Sequence, residues 1–157
     1  MQKHTYSWLI FVLGLFTVMS LLVPYKNIKK LFPFGFLMGF VQAIIINWPA
    51  IYLFRLWRLP GEVFVGNVPI FVSLSWIPPT IIFANFFPAA KGLIIKAVYI
   101  LIFASGTGVI QLLQGLIGIW ESLRWNFVRT FFMALVTHTI MSLSLPVFGV
   151  KTLQKSK

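Results

Sequence analysis

The sequence predicts an all-α fold, a transmembrane helical bundle of about five spans. Three observations carry that reading. The 157 residues are 59% hydrophobic and only 10% charged, where a soluble domain is roughly a quarter charged. Too few polar side chains are present to cover a water-facing surface. The apolar residues also fall in runs near the ~20 residues that cross a bilayer core. Finally, the 13 Lys and Arg, set against two acids, gather at the ends of those runs, where membrane lipids present anionic headgroups.

In a water-soluble protein a charge of +11 would point to nucleic acid. Here no basic run with interleaved aromatics lies outside the apolar segments, so nucleic acid is not an expected partner. With no cysteine, disulfides, thiolate metal sites and a Cys nucleophile are excluded.

The first span is expected over about residues 8–23, closed by Pro24. No small-residue cleavage pattern follows, so it reads as an uncleaved span rather than a signal peptide. After Lys26, Lys29 and Lys30, the second span covers about 31–54. Pro33 would fall in its first turn, where a missing N–H costs little, and Pro49 would kink its far end. Residues 55–67, RLWRLPGEVFVGN, carry the Pro60-Gly61 turn pair, two Arg and Glu62, and read as an interfacial loop. The third span is expected over 68–87. The fourth, over 93–120, is long enough to tilt. ESLRWNFVR, residues 121–129, is the last connector, and the fifth span covers about 127–150. Trp57, Trp120 and Trp125 read as an aromatic belt at the span ends. No connector has the length of a domain, so 1–157 reads as one membrane domain, and no internal repeat is evident.

Five spans put Lys26, Lys29, Lys30, Lys91, Lys96, Lys151, Lys155 and Lys157 on one side. Lys3, Arg55, Arg58, Arg124 and Arg129 lie on the other. Eight against five places the C-terminus in the cytoplasm by the positive-inside rule.

Pro78 and Pro79 interrupt the third span. Neither donates a backbone N–H, and in a continuous helix the carbonyls of Leu74 and Ser75 would lose their partners. An orphaned carbonyl in hydrocarbon costs several kcal/mol, so the span is expected to be kinked or broken there and packed inside the bundle. Ser73, Ser75 and Thr80 flank the break, and their hydroxyls offer substitute bonds.

Polar groups inside a membrane are costly and therefore informative. In the fourth span Ala104, Thr107, Gly108, Gln111, Gly115, Gly118 and Ser122 recur at three- and four-residue spacing, on one helical face, with Gln114 at its border. Such a face is either a close helix–helix seam or the wall of a polar pathway. Gly35 and Gly39 form a weakly specific G-x-x-x-G, with Gln42 following on the same face. His138, between Thr137 and Thr139, is the one ionisable side chain deep in a span. It reads as a neutral imidazole bonded to a neighbour, since no second His or acid lies in a span to share a proton or a metal. Glu62 and Glu121 are expected to pair with Arg58 and Arg124. No nucleotide loop, hydrolase triad or zinc motif is present, and no metal or cofactor is expected.

The stretches NIKKLFPFGFLMGF (27–40) and VPIFVSLSWIPPTIIFANFF (68–87) resemble small, uncharacterised polytopic membrane proteins of endospore-forming bacteria, over about half the chain. The resemblance implies a bacterial cytoplasmic membrane and a link to the spore, and it supplies no catalytic residues. The acids expected in the middle region of such chains are missing; Asn67 and Asn85 are the nearest polar positions.

Two readings of function stand. One is a non-enzymatic structural or accessory membrane protein working through helix contacts, as a homo-oligomer or in a larger membrane complex. The other is a small permease or substrate-binding membrane subunit, its cavity between spans three, four and five lined by Ser73, Ser75, Asn85, Gln111, Gln114 and His138. An enzyme using Glu62, Glu121 or His138 is the weakest alternative.

Overall fold

The computed structural model describes the backbone of residues 2–60, 64–65 and 68–149. Glu62, Asn67, Lys151, Lys155 and Lys157 lie outside the described residues. The architecture is an all-α bundle. Helix α1 spans Gln2–Leu22, an apolar run free of proline that stops before Pro24 because the residue preceding a proline disfavours the helical region.

Pro24 then starts the next helix. Its carbonyl accepts from the N–H groups of Asn27 and Ile28 at 2.8 and 3.0 Å. Helix α2, Tyr25–Gly35, therefore takes in the three lysines expected to precede it. It passes through a π-helical turn at Phe36–Val41 into α3, Gln42–Tyr52, giving one rod of 28 residues. Because the start moves upstream, Pro33 lies inside α2 rather than in its first turn.

The third segment is broken, as the proline pair requires. Val68–Pro69 are extended, α4 covers Ile70–Ser75, and α5 covers Ile77–Phe86. The break falls at Trp76, two residues ahead of Pro78. That puts both prolines in the first turn of α5, where N–H groups have no intrahelical partner to lose. The substitute hydrogen bonds differ from expectation. Ser75 Oγ donates to Val72 O at 2.7 Å, but Ser73 Oγ and Thr80 Oγ1 are buried without a partner among the described residues. The break is repaired mainly by backbone, with Trp76 N donating to Ser73 O and Thr80 N to Trp76 O, both at 3.3 Å.

Helix α6 spans Leu93–Leu116. It ends earlier than the hydropathy suggests because Gly118 turns left-handed, at φ 75°, and Ile119 N returns to Gln114 O at 3.0 Å, a glycine-type helix stop. Gly118 and Ser122 are consequently not on the helical face assigned to them. Helix α7, Phe127–Ser144, is capped by Asn126, whose Oδ1 accepts from Arg129 N at 3.0 Å. A 3₁₀ turn at Leu145–Phe148, led by Pro146, follows it. Helices α6 and α7 form an antiparallel hairpin.

The connectors at one end are more ordered than interfacial loops. Arg55 takes φ 49°, a left-handed conformation that folds the chain back after α3. Strand β1, Trp57–Arg58, then pairs antiparallel with β4, Glu121–Ser122. Leu56 O accepts from Leu123 N and Arg124 N at 3.0 and 2.9 Å. A second short ladder joins β2, Phe64–Val65, to β3, Val68–Pro69.

Four helical segments are long and apolar enough to cross a membrane, 4–22, 25–52, 93–116 and 127–148, and the broken segment Ile70–Phe86 is shorter. No more than 33% of the most apolar window in any of the four is buried. The exposed remainder is largely Leu, Ile, Val and Phe, with Leu21, Leu93, Leu116 and Val147 at 80–84% exposure. The bundle thus turns an apolar exterior outward.

Candidate functional site

The site is built where α6 meets α7 and where the folded connectors roof the bundle. Gly108 sits against the Phe127 ring so closely that a Cβ would lie 2.6 Å from it. Gln111 is thereby brought to Thr130. Thr130 donates its hydroxyl proton to Gln111 Oε1 and accepts from Trp125 Nε1 at 2.6 Å. Gln111 Nε2 donates to Ser122 Oγ at 3.3 Å, and Trp120 Nε1 donates to the same oxygen at 2.9 Å. Ser122 has left the helix yet returns to the network through the connector.

The roof is aromatic. Trp57 stacks on Trp120 at 4.8 Å between ring centroids and meets Trp125 edge-on at 4.9 Å. Its indole N–H donates to Asn47 Oδ1 at 3.0 Å, and Asn47 Nδ2 donates to Ala43 O at 2.8 Å. Trp8 on α1 donates to Pro60 O at 2.7 Å. Trp57 is 1% exposed, so it is not a member of an interfacial belt. A buried indole is stable where its N–H finds an acceptor, and Asn47 supplies one.

Beneath this roof lies a cavity of about 60 Å³, room for a few waters at roughly 10–15 Å³ each. Its polar lining is Gln42, Asn47, Thr107, Gln111, Gln114, Thr130 and Thr137, and Trp8, Trp57, Trp76 and Trp120 also wall it. A second chamber, of about 260 Å³ and open to the exterior beside Ile102 and Gly106, lies between α1, α4, α5, α6 and α7, with Ser75, Gln114 and His138 among its polar lining. Trp76, Thr107, Ile110 and Gln114 border both chambers.

His138 Nδ1 faces Ala134 O at 2.7 Å. A carbonyl only accepts, so Nδ1 carries the hydrogen and Nε2 of the neutral ring keeps its lone pair. Phe83 and Phe103 hold the ring at 5.2 and 5.9 Å. In the first chamber Gln42 Oε1 is buried and has no partner among the described residues.

The six sequence-predicted residues divide. Gln111 and Gln114 line the first chamber, and Ser75, Gln114 and His138 line the second. Ser73 is buried but borders neither. Asn85 also lies apart, its Oδ1 accepting from Asn27 Nδ2 at 2.9 Å. Gln42, Asn47 and Thr130 were missed. Gln42 was visible as the residue following G-x-x-x-G, but Asn47 gave no signal beyond being polar near Pro49. Glu121 pairs with Arg58 at 3.9 Å, not with Arg124, because the β1–β4 register sets Arg58 opposite it. Among the described residues no cluster of His or carboxylates could hold a metal.

The chambers offer neutral amide and hydroxyl groups, one imidazole and indole walls. That chemistry can bind by hydrogen bonding and stacking, and among the described residues no carboxylate lines the chambers. Compared with known protein families, curated proteins and solved structures, the chain matches none.

Proposed function

We propose that this chain is an integral membrane protein, not an enzyme, whose paired chambers receive a small uncharged molecule able to donate and accept hydrogen bonds. It would act as a small permease or a substrate-binding membrane subunit. The observation that carries this is the neutral polar lining shared across Gln114, inside a bundle with an apolar exterior. Burying so many amides and hydroxyls between apolar helices is costly unless each is bonded. The unpartnered Gln42 Oε1 is the kind of group a ligand or water would complete. Part of the small-residue face of α6, at Gly108 and Gln111, is used within the chain, against Phe127 and Thr130.

A second reading, a structural or accessory component acting through helix contacts, draws on Gly14 and Gly106, around which an added Cβ would meet nothing within 4 Å. Small outward residues let another membrane helix approach. The resemblance of residues 27–40 and 68–87 supports a bacterial cytoplasmic membrane and a link to the spore. The lysine distribution supports a cytoplasmic C-terminus.

The chain's lack of cysteine makes the test clean. Ser75→Cys, Gln111→Cys and His138→Cys are expected to react with a water-soluble thiol reagent in detergent or membranes. If all three resist while Arg58→Cys reacts, the chambers are sealed and the helix-contact reading replaces this one. If the polypeptide stays dispersed in buffer without detergent, the membrane assignment itself fails.

A further inference from the structure

The opposite end of the hairpin carries a feature that the chambers do not use. A groove of about 590 Å³ runs between α6 and α7, with Leu145 and Pro146 also lining it. Its walls are apolar, with Leu93, Ile100 and Leu135 among them, and Lys96 stands in it as the one charged side chain. Lys96 is half-buried, the state of a long cationic side chain that rests its stem on apolar neighbours and keeps its ammonium outward. No carboxylate reaches it among the described residues: the one described acid, Glu121, lies at the other end, paired with Arg58. Thr139 and Ser142 line the groove beside it. Their hydroxyl protons are committed to Leu135 O at 2.7 Å and Thr139 O at 2.8 Å.

We propose that this groove seats one anionic phospholipid, its acyl chain between α6 and α7 and its phosphate on Lys96. The inference rests on the membrane reading above and extends it from general contact with headgroups to one defined site. Charge selects the occupant. The groove supplies a cation without a counter-ion above an apolar slot, the pattern a lipid phosphate and its tail complement. Lys26, Lys29, Lys30 and Lys91 belong to the same end by topology and add to its positive field. A second copy of this chain, itself at +11, would bring like charge to like. A zwitterionic lipid would fill the slot without the net charge that Lys96 calls for.

The test uses the full chain purified in detergent. Phosphatidylglycerol and phosphatidylcholine with the same acyl chains are titrated in separately, with retention read by native mass spectrometry and stability by thermal unfolding. Phosphatidylglycerol is expected to be retained as a single preferred copy, with an advantage over phosphatidylcholine of about fivefold, the worth of one lysine at a membrane surface. Lys96→Gln should erase that advantage and Lys30→Gln should leave most of it. Ala97→Trp, which fills the slot and keeps the charge, should reduce retention of both lipids. Equal retention of the two lipids by the unaltered chain overturns the proposal, as does an unchanged preference in Lys96→Gln. Inorganic phosphate or glycerophosphate matching the lipid's stabilisation would also overturn it, since the slot would then play no part. Each of these failures occurs in a chain folded in detergent and so differs from failure of the membrane reading, which shows as solubility without detergent.

Discussion

Gly39→Ala is expected to be among the most damaging small substitutions in the molecule. An added Cβ at Gly39 would lie 2.7 Å from Trp76 O, 3.0 Å from Trp76 C and 3.1 Å from Ile77 N. All three are backbone atoms, and they belong to the break in the third segment, so no side-chain rotation can relieve the clash. Forcing one methyl into a packed interface costs about 1–3 kcal/mol. The gain from replacing helical glycine by alanine is about 1 kcal/mol, so the net loss should be up to about 2 kcal/mol, toward the upper end because backbone atoms cannot turn aside. Gly106→Ala provides a control of opposite sign, because its Cβ would meet nothing within 4 Å and only the propensity gain remains. Thermal unfolding of the two variants in the same detergent, followed by circular dichroism, should place Gly39→Ala below the unaltered chain and Gly106→Ala level with it or above. Equal stability of the unaltered chain and Gly39→Ala would refute the argument that the π-helical turn and the broken segment are held in backbone contact.

Two further outcomes are expected. Gln111→Leu should destabilise by about 1–3 kcal/mol, since it leaves Thr130 without its acceptor inside the bundle. Combined with Thr130→Val, the loss should fall short of the sum of the single losses by roughly 0.6 kcal/mol, the usual worth of an interhelical hydrogen bond in a membrane, and strict additivity in unfolding would argue against a direct bond. Arg58→Gln should change stability by less than about 1 kcal/mol, because its 3.9 Å contact with Glu121 joins side chains 69% and 55% exposed, where solvent screens ion pairs; a larger loss in denaturation would mean that the pair organises the β1–β4 connector.

Much of the fold was legible because hydrocarbon imposes a simple rule, that long apolar stretches form helices. The break at Trp76 was also legible, since Pro78 and Pro79 remove two donors that nothing else supplies. Segment ends were harder. Pro24 began α2 upstream of the apolar run, and Gly118 stopped α6 inside one, because local backbone geometry outweighs hydropathy at helix ends. The site was half legible. Gln111, Gln114 and His138 stand out as polar residues within apolar sequence, and helical spacing puts them on inward faces. Trp57 and Asn47 could not be paired from the sequence, because their contact depends on a left-handed Arg55 and a two-residue strand register. Neither has a periodic signature. Asn85 borders neither chamber but bonds Asn27 on a different helix 58 residues away, a partner no spacing rule could name.

The roof over the first chamber brings together Trp57 with Trp120 and Trp125, which follow it in the chain by more than 60 residues. During synthesis the earlier helices can assemble before residues 120–130 emerge from the ribosome, as chains fold from their beginnings. Until α7 follows, the compartment lacks both that roof and the wall that Thr130, Met133, Ala134 and Thr137 supply, and Asn47 and Trp57 are without much of their cover. Closure therefore waits on residues 120–137, and a chain halted before them would leave behind an unroofed, water-admitting intermediate for quality-control proteases to find.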